Sequence, residues 1–180
     1  MKAVLLCAGI GSRMSGLVKG LLHIEGKAIM HHWVDRLRSV GVTDIIINLH
    51  HHAESFITYA EITQIPGLTF TFEPELLGSA GTIYANRRLL GRDSFLIVYC
   101  DVWTKAPLFD LIATHVANGA LMTIMIDCRQ DLSACGVVEL HGDEVISFEE
   151  KPEYPKGDHS FSGIAMAEPG ALNTLSKDMK

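Results

Sequence analysis

The sharpest chemical signal in the sequence is a run of small and charged residues after the first apolar stretch. Leu6-Cys7-Ala8 leads into Gly9-Ile10-Gly11-Ser12-Arg13-Met14, and Lys19 follows. A buried strand that runs into glycines lets backbone N–H groups converge on an anion. Arg13 offers a bidentate fork and Lys19 a mobile point charge, one loop away from a phosphate-sized nest. The segment is not a dinucleotide fingerprint, which needs glycine where Met14 stands and an acid where Leu49 closes the second strand. Nor is it a Walker A loop, since Gly-Lys-Ser/Thr is absent. A solvated loop with ordinary surface cations is the alternative reading of the same residues.

Asp101 is the second candidate. It follows Phe95-Leu96-Ile97-Val98-Tyr99-Cys100, at the carboxyl end of a predicted central strand, the edge where open α/β sheets bind ligands. A carboxylate there suits a hard cation such as Mg²⁺, which takes few ligands from protein and the rest from phosphates and water. The alternative is an N-cap for a turn before Lys105-Ala106-Pro107. Gly78-Ser79-Ala80-Gly81 reads as a loop that can bring backbone close to a flat ligand, or simply as a tight loop with a small-residue cap. Glu149-Glu150-Lys151-Pro152 reads, taken alone, as a solvated turn. His50-His51-His52 is a loop after the second strand rather than a metal site, because adjacent residues of extended chain point in opposite directions. No Ser, His and acid are spaced so as to declare a nucleophilic triad. Trp33 is read as a core position and Trp103 as a loop anchor.

The elements that must position these residues alternate regularly. Strands are expected over 3–8, 44–49, 68–72, 94–99 and 120–127, and helices over 30–40, 53–62, 80–90 and 108–118. Such a βαβ series predicts a largely parallel sheet with helices on both faces. After Arg129 the pattern changes. Gly136–Leu140 and Val145–Phe148 read as a hairpin beside the main sheet, residues 151–160 as a loop, Phe161–Met166 as a returning strand, and Ala171, Leu172 and Leu175 as the start of a helix.

Composition bounds the function. The 180 residues are 48% hydrophobic and 20% charged, enough apolar material for one full-sized core. A net charge of −6 argues against sequence-independent nucleic-acid binding, which needs a basic surface. Cys7, Cys100, Cys128 and Cys135 form no disulfide framework and no metal spacing, and the first three, in or beside apolar runs, read as small buried hydrophobes. The chain shows neither a signal peptide nor a membrane-spanning run, so the expected compartment is the cytoplasm.

Taken together, the motifs resemble those of the sugar-1-phosphate nucleotidyltransferases, the sugar-nucleotide pyrophosphorylases. Their opening Ala-Gly-x-Gly-x-Arg-Leu/Met, then Lys, then Gly-Lys, is similar to Ala8–Met14, Lys19 and Gly26-Lys27. Leu-Gly-Thr-Ala-Gly resembles Leu77–Gly81, and the metal-binding aspartate at a strand end resembles Asp101. Gly-Val-Val and Phe-x-Glu-Lys-Pro resemble Gly136-Val137-Val138 and Phe148–Pro152, and the Gly-Ile strand resembles Gly163-Ile164. The short segment from Arg13 to Lys19 is also similar to the molybdenum-cofactor guanylyltransferases.

The resemblance implies a three-layer α/β/α Rossmann-like fold with a mostly parallel sheet and a small β annex. It implies one domain over 1–180, with a nucleotide-binding core over 1–128 and a sugar-phosphate-binding annex over 129–168. The implied substrates are an NTP and a sugar 1-phosphate, with Mg²⁺ as cofactor and homo-oligomerisation left open. The nucleotide would be held by Leu6, Ala8, Gly9, Gly11, Ser12, Arg13, Lys19, Glu73, Gly78 and Ser79. Arg13, Lys19 and Asp101 would carry catalysis, Asp101 also the metal. The sugar phosphate would lie on Gly136, Glu150, Lys151 and Gly163.

Two departures from the family pattern bear on these expectations. Phe161 stands where an asparagine often precedes the small residue and glycine. The family's later Asp-x-Gly-Thr, with a second metal-binding aspartate, has no counterpart before Lys180, which implies a fragment or an incomplete metal site. The remaining expectations are a guanylyl- or cytidylyltransferase for a non-sugar phosphate, or a nucleotide-binding regulatory module without catalysis.

Overall fold

A computed structural model describes residues 1–9, 18–129 and 131–176. In chain order the elements are β1 (Lys2–Leu6), a 3-10 turn (Lys19–Leu21), β2 (His23–Ile24), β3 (Lys27–Ala28), α1 (Ile29–Ser39), β4 (Asp44–Leu49) and α2 (Ala53–Ile62). There follow β5 (Leu68–Phe72), α3 (Gly78–Ala85), α4 (Arg87–Leu90), β6 (Phe95–Tyr99), α5 (Leu108–Asn118), β7 (Met122–Asp127), β8 (Gly136–His141), β9 (Glu144–Glu150), β10 (His159–Ala167) and a second 3-10 segment (Pro169–Thr174).

β5, β4, β1 and β6 lie side by side, all parallel. Their side chains alternate between two faces, each covered by helices. Ala3 and Leu5 of β1 point into a core with Trp33 and Leu37 of α1, Phe56 of α2 and Leu111 of α5. Val4 points the other way, into a core with Ile83 of α3 and Leu90 of α4. Helix α1 forms because Ile29, Met30, Trp33, Val34 and Leu37 recur on one buried face. It stops at Gly41, whose φ of +85° suits glycine and whose N–H bonds Arg38 O at 2.9 Å.

The sheet departs from a simple βαβ series at its far side. β10 enters antiparallel between β6 and β7, so β7 keeps the direction of β6 without touching it. The sheet remains mostly parallel, and β10 is the strand that joins the β8–β9 hairpin to it. Within β10 the register shifts between Phe161 and Ala165. Gly163 sits in this bulge at φ +79°, and a Cβ there would lie 2.8 Å from Val102 Cγ2 and 3.1 Å from Tyr99 Cβ. Only glycine lets the bulge close onto the end of β6.

Three local expectations are corrected. Gly78–Gly81 is the first turn of α3, not a loop. The single helix expected over 80–90 is divided at Asn86, whose φ of −90° and ψ of 4° leave the helical range while its backbone N–H and its side-chain amide both donate to Thr82 O, at 3.1 and 2.9 Å. Ala171 and Leu172 lie in a 3-10 segment, and with Leu175 they pack on the second core. The small β2–β3 hairpin is too short to show periodicity in the sequence. Among the described residues no helix is long and apolar enough to cross a membrane.

Candidate active site

The carboxyl ends of β1, β4, β5 and β6 surround a cleft of about 300 Å³. Gly9, Lys19, Gly78 and Asp101 all line it. Lys19 Nζ lies 2.9 Å from Asp101 Oδ2. With side chains 37% and 44% exposed, the pair is worth little as a stabiliser, about 0–1 kcal/mol for such surface contacts. Its interest is chemical: a cation and a hard-oxygen ligand are held at one point. Gly11, Ser12 and Arg13 lie outside the described residues.

Asp101 is fixed from behind. Cys100 N–H donates to Leu6 O at 3.0 Å, which extends the β1–β6 ladder to the residue before Asp101. Trp33 Nε1 donates to Val102 O at 2.8 Å, and the Arg36 guanidinium donates to the carbonyls of Thr104 and Ala106. Trp33 is therefore both a core side chain and a brace for the loop after Asp101. Trp103 packs edge-on against His32, ring centroids 4.7 Å apart. Lys19 rides on its own turn, closed by Leu21 N–H to Val18 O at 2.9 Å.

The opposite wall is a buried polar network. Asn48 accepts from Cys7 N–H at 2.9 Å and donates to Glu73 Oε1 at 2.9 Å and Thr82 Oγ1 at 3.2 Å. Thr82 also donates to Glu73, and Leu77 N–H reaches Glu73 Oε2 at 3.3 Å. Glu73 is only 4% exposed. It lines the cleft, yet its carboxylate is occupied in tying β4 and β5 to the start of α3. Sequence reading missed Asn48, although an amide inside the apolar run Ile45–Leu49 is costly unless paired and so was a usable signal. Thr82 and Tyr99 gave no such signal. His51 and His52 line the cleft, whereas His50 turns away to donate to Glu73 O at 2.7 Å.

Ser79 Oγ and the Tyr99 hydroxyl share a hydrogen bond of 2.6 Å. Burial pushes the Tyr99 phenol up, and the nearby charges of Glu150 and Asp101 push the same way against the Ser79 bond and Lys151. Tyr99 thus stands in the field of both charged groups, the one in the cleft and the one on β9. Burial chiefly raises the Cys7 thiol, helped by Cys100 and the Asp101 charge, so Cys7 is a protonated small hydrophobe; Cys100 is buried as expected, whereas Cys128, just past the end of β7, is exposed.

Gly136, Glu150, Lys151 and Gly163 do not line the cleft. Gly136 and Glu150 are register partners across β8 and β9, and Lys151 Nζ lies 2.9 Å from Glu150 Oε1. Lys151 N–H donates to Cys135 O at 2.8 Å, which fixes the residue at a left-handed φ of +47°.

A family model described as nucleotidyl transferase matches residues 2–180. The chain belongs to the nucleotidyl transferase family. Among curated relatives of this nucleotidyl transferase, a mannose-1-phosphate guanyltransferase of Schizosaccharomyces pombe is 30% identical over 188 residues, covering 97% of this chain and 52% of the relative. The mannose-1-phosphate guanylyltransferase catalytic subunit beta of Dictyostelium discoideum is 27% identical over 186 residues, with 97% and 52% covered. The chain spans about half the length of these relatives. HddC from Yersinia pseudotuberculosis, solved in complex with GMP-PN, superposes with a TM-score of 0.80 at 21% identity, covering 99% of this chain and 81% of that one. A UDP-glucose pyrophosphorylase complexed with UDP-glucose superposes at 0.84 with 17% identity, covering 98% and 79%. The fold is thus the Rossmann-like one of these nucleotidyltransferases.

Proposed function

We propose that this nucleotidyl transferase converts an NTP and a sugar 1-phosphate to an NDP-sugar and pyrophosphate. The observation that carries the reading is the Lys19–Asp101 pair, 2.9 Å apart in the lining of a cleft at the carboxyl edge of the parallel strands. An oxygen of the acceptor phosphate forms the new bond to the α-phosphorus. The bond from that phosphorus to the bridging oxygen breaks, and pyrophosphate leaves with the electron pair. The protein's part is positioning and charge stabilisation.

In this reading Arg13 holds the β- and γ-phosphates and Lys19 the charge that develops on the α-phosphoryl group. Backbone of Leu6, Ala8, Gly9, Gly78 and Ser79 borders the nucleoside, with Gly11 and Ser12 in the phosphate loop. Glu73, on the cleft wall, meets the nucleotide while it holds Asn48 and the Leu77 N–H. Gly136, Glu150, Lys151 and Gly163 form the acceptor side, so residues 129–168 serve as the annex to a nucleotide core over 1–128.

Asp101 fits a Mg²⁺ site in donor chemistry. It is a hard carboxylate lining the cleft, and phosphate oxygens and water would supply the other ligands. When bound, Mg²⁺ supplies charge screening and Lewis acidity. The four free cysteines suit a reducing compartment, and the reading places the reaction in the cytoplasm.

Pyrophosphate release from each NTP, with Mg²⁺ and a panel of sugar 1-phosphates, tests the reading. Turnover only with a non-sugar phosphate would replace it by the alternative transferase. Nucleotide binding without any turnover would make the protein a regulatory module.

A further inference from the structure

A second cavity, of about 540 Å³, shares no lining residue with the cleft. It lies at the amino edge of the parallel strands, where Ala167 of β10 pairs with Phe95 at the start of β6 and the chain turns into Pro169. Tyr84 of α3, Arg87 of α4 and Gly91 form one side. Pro169, Leu172 and Leu175 form the other, the two leucines only partly buried against the second core.

Arg87 is held in place. Its guanidinium carbon lies 4.0 Å from the centroid of the Tyr84 ring, and its Nη1 donates to Tyr84 O at 2.7 Å. Stacking and one hydrogen bond fix the plane of the fork, and among the described residues its other N–H donors have no acceptor. Lys2 brings a second cation to the same edge. It donates to Leu89 O, and its Nζ would lie 3.7 Å from a Cβ at Gly91. The ion pairs among the described residues involve neither Arg87 nor Lys2. Arg88 and Arg92 are exposed within the same stretch. In a chain of net charge −6, this edge is basic.

Two cations match a dianion better than a carboxylate. A guanidinium fork takes two oxygens of one phosphate side by side, and a phosphate monoester carries about −1.5 to −2 charge near pH 7. The apolar wall opposite the cations suits a body attached to that phosphate. The volume falls within the range of small-molecule sites, about 300–1,000 Å³.

We propose that this cavity binds a small organic phosphate monoester, with its phosphate on Arg87 and Lys2 and its apolar body against Leu172 and Leu175. The site is separate from the one that holds the reacting phosphates.

The test titrates phenyl phosphate into the full chain at about 0.15 M salt, which screens diffuse attraction, and follows backbone amides by NMR. Shifts at Tyr84, Gly91 and Leu172 are expected to saturate with a Kd of about 1 mM or below. Arg87→Gln should weaken binding about tenfold or more, the scale of a lost charge-assisted contact. Arg88→Gln removes the same charge from the exposed neighbour and should change Kd less than about twofold. Arg87→Lys keeps charge without the fork and should fall between the parent and Arg87→Gln. Should Arg87→Gln fail to fold, Arg87→Lys set against Arg88→Gln decides the same question. Lys19→Ala should leave these shifts unchanged. Equal weakening by Arg87→Gln and Arg88→Gln would show a diffuse field and overturn the site. Shifts confined to Gly78, Tyr99 and the rest of the cleft overturn it too. Inorganic phosphate or benzoate binding as tightly as phenyl phosphate overturns the ligand class, because each lacks one half of the proposed match.

Discussion

Gly20 is seated on Cys100: a Cβ added at Gly20 would lie 2.7 Å from Cys100 Sγ and 2.8 Å from Phe56 Cε1. Gly20 follows Lys19 and Cys100 precedes Asp101, so the contact that seats the turn also sets the 2.9 Å Lys19–Asp101 pair. Gly20→Ala must lift the turn or push the sulfur aside. Displacement of a reacting group by about 1 Å costs on the order of 10²-fold in rate. The expected outcome is that loss in kcat, with NTP affinity by calorimetry changed less than about threefold. Cys100→Ala, placed in the same background, removes only one of the two side chains that the new methyl meets, so it should recover kcat in part while the Phe56 contact remains.

Lys19→Ala should lower kcat/KM about 10²-fold, the scale of one preorganised electrostatic contact. Lys19→Arg should restore charge but not geometry, because a planar fork cannot stand in for a compact ammonium. Single-turnover kinetics separate the chemical step from binding. A chemical step unchanged in Lys19→Ala would place the ion pair outside the reaction.

Asn48→Asp tests the buried wall. It removes both donors that Asn48 gives to Glu73 and Thr82 and sets a second carboxylate beside the first. The expected cost is about 3 kcal/mol at neutral pH, the scale of an uncompensated buried charge. Two carboxylates in contact raise each other's proton affinity, so the variant's folded state binds a proton more tightly than its unfolded state does. The deficit should therefore shrink as pH falls from 7.5 to 5 and grow as it rises. Urea denaturation at both pH values reads the difference.

Glu168 gives an acid-limb prediction away from the cleft. Its carboxylate accepts from Ser94 Oγ at 2.6 Å and from His115 Nε2 at 3.1 Å, and these bonds, Ser94 first, hold it below its ordinary value of 4.5. A depressed folded-state pKa contributes stability that is present above the unfolded value and lost as pH falls through the folded one. Glu168→Gln should thus be less stable than the parent at pH 7, with the gap closing below about pH 4. Melting temperature against pH measures this, and kcat at pH 7 should be unaffected.

Much of the fold was legible along the chain. The boundaries of β4, α2, β5 and α5 follow from apolar runs of strand length and from stripes at helical spacing, which depend on local order alone. Asp101 was legible for the same reason, since a strand that ends in a carboxylate can be read from neighbours in sequence. The division at Asn86 was not, because it rests on one residue's backbone angles, φ −90° and ψ 4°, inside a stretch whose composition still suits a helix. Glu73 was named as a nucleotide contact, yet its bonds to Asn48, Thr82 and Leu77 give it a bracing part that no local pattern reveals.

The sequence by itself determined the alternation of strands and helices and the acidic strand end at Asp101, because periodicity is a property of adjacent residues. Tertiary structure alone decided that β10 runs between β6 and β7, since strand order depends on which edges pair across long loops. It also decided that Lys19 meets Asp101 across 82 residues and that Phe161 meets both Tyr99 and Phe148 edge-on. Such contacts are fixed by the packing of one strand end against another, and distance along the chain carries no record of them.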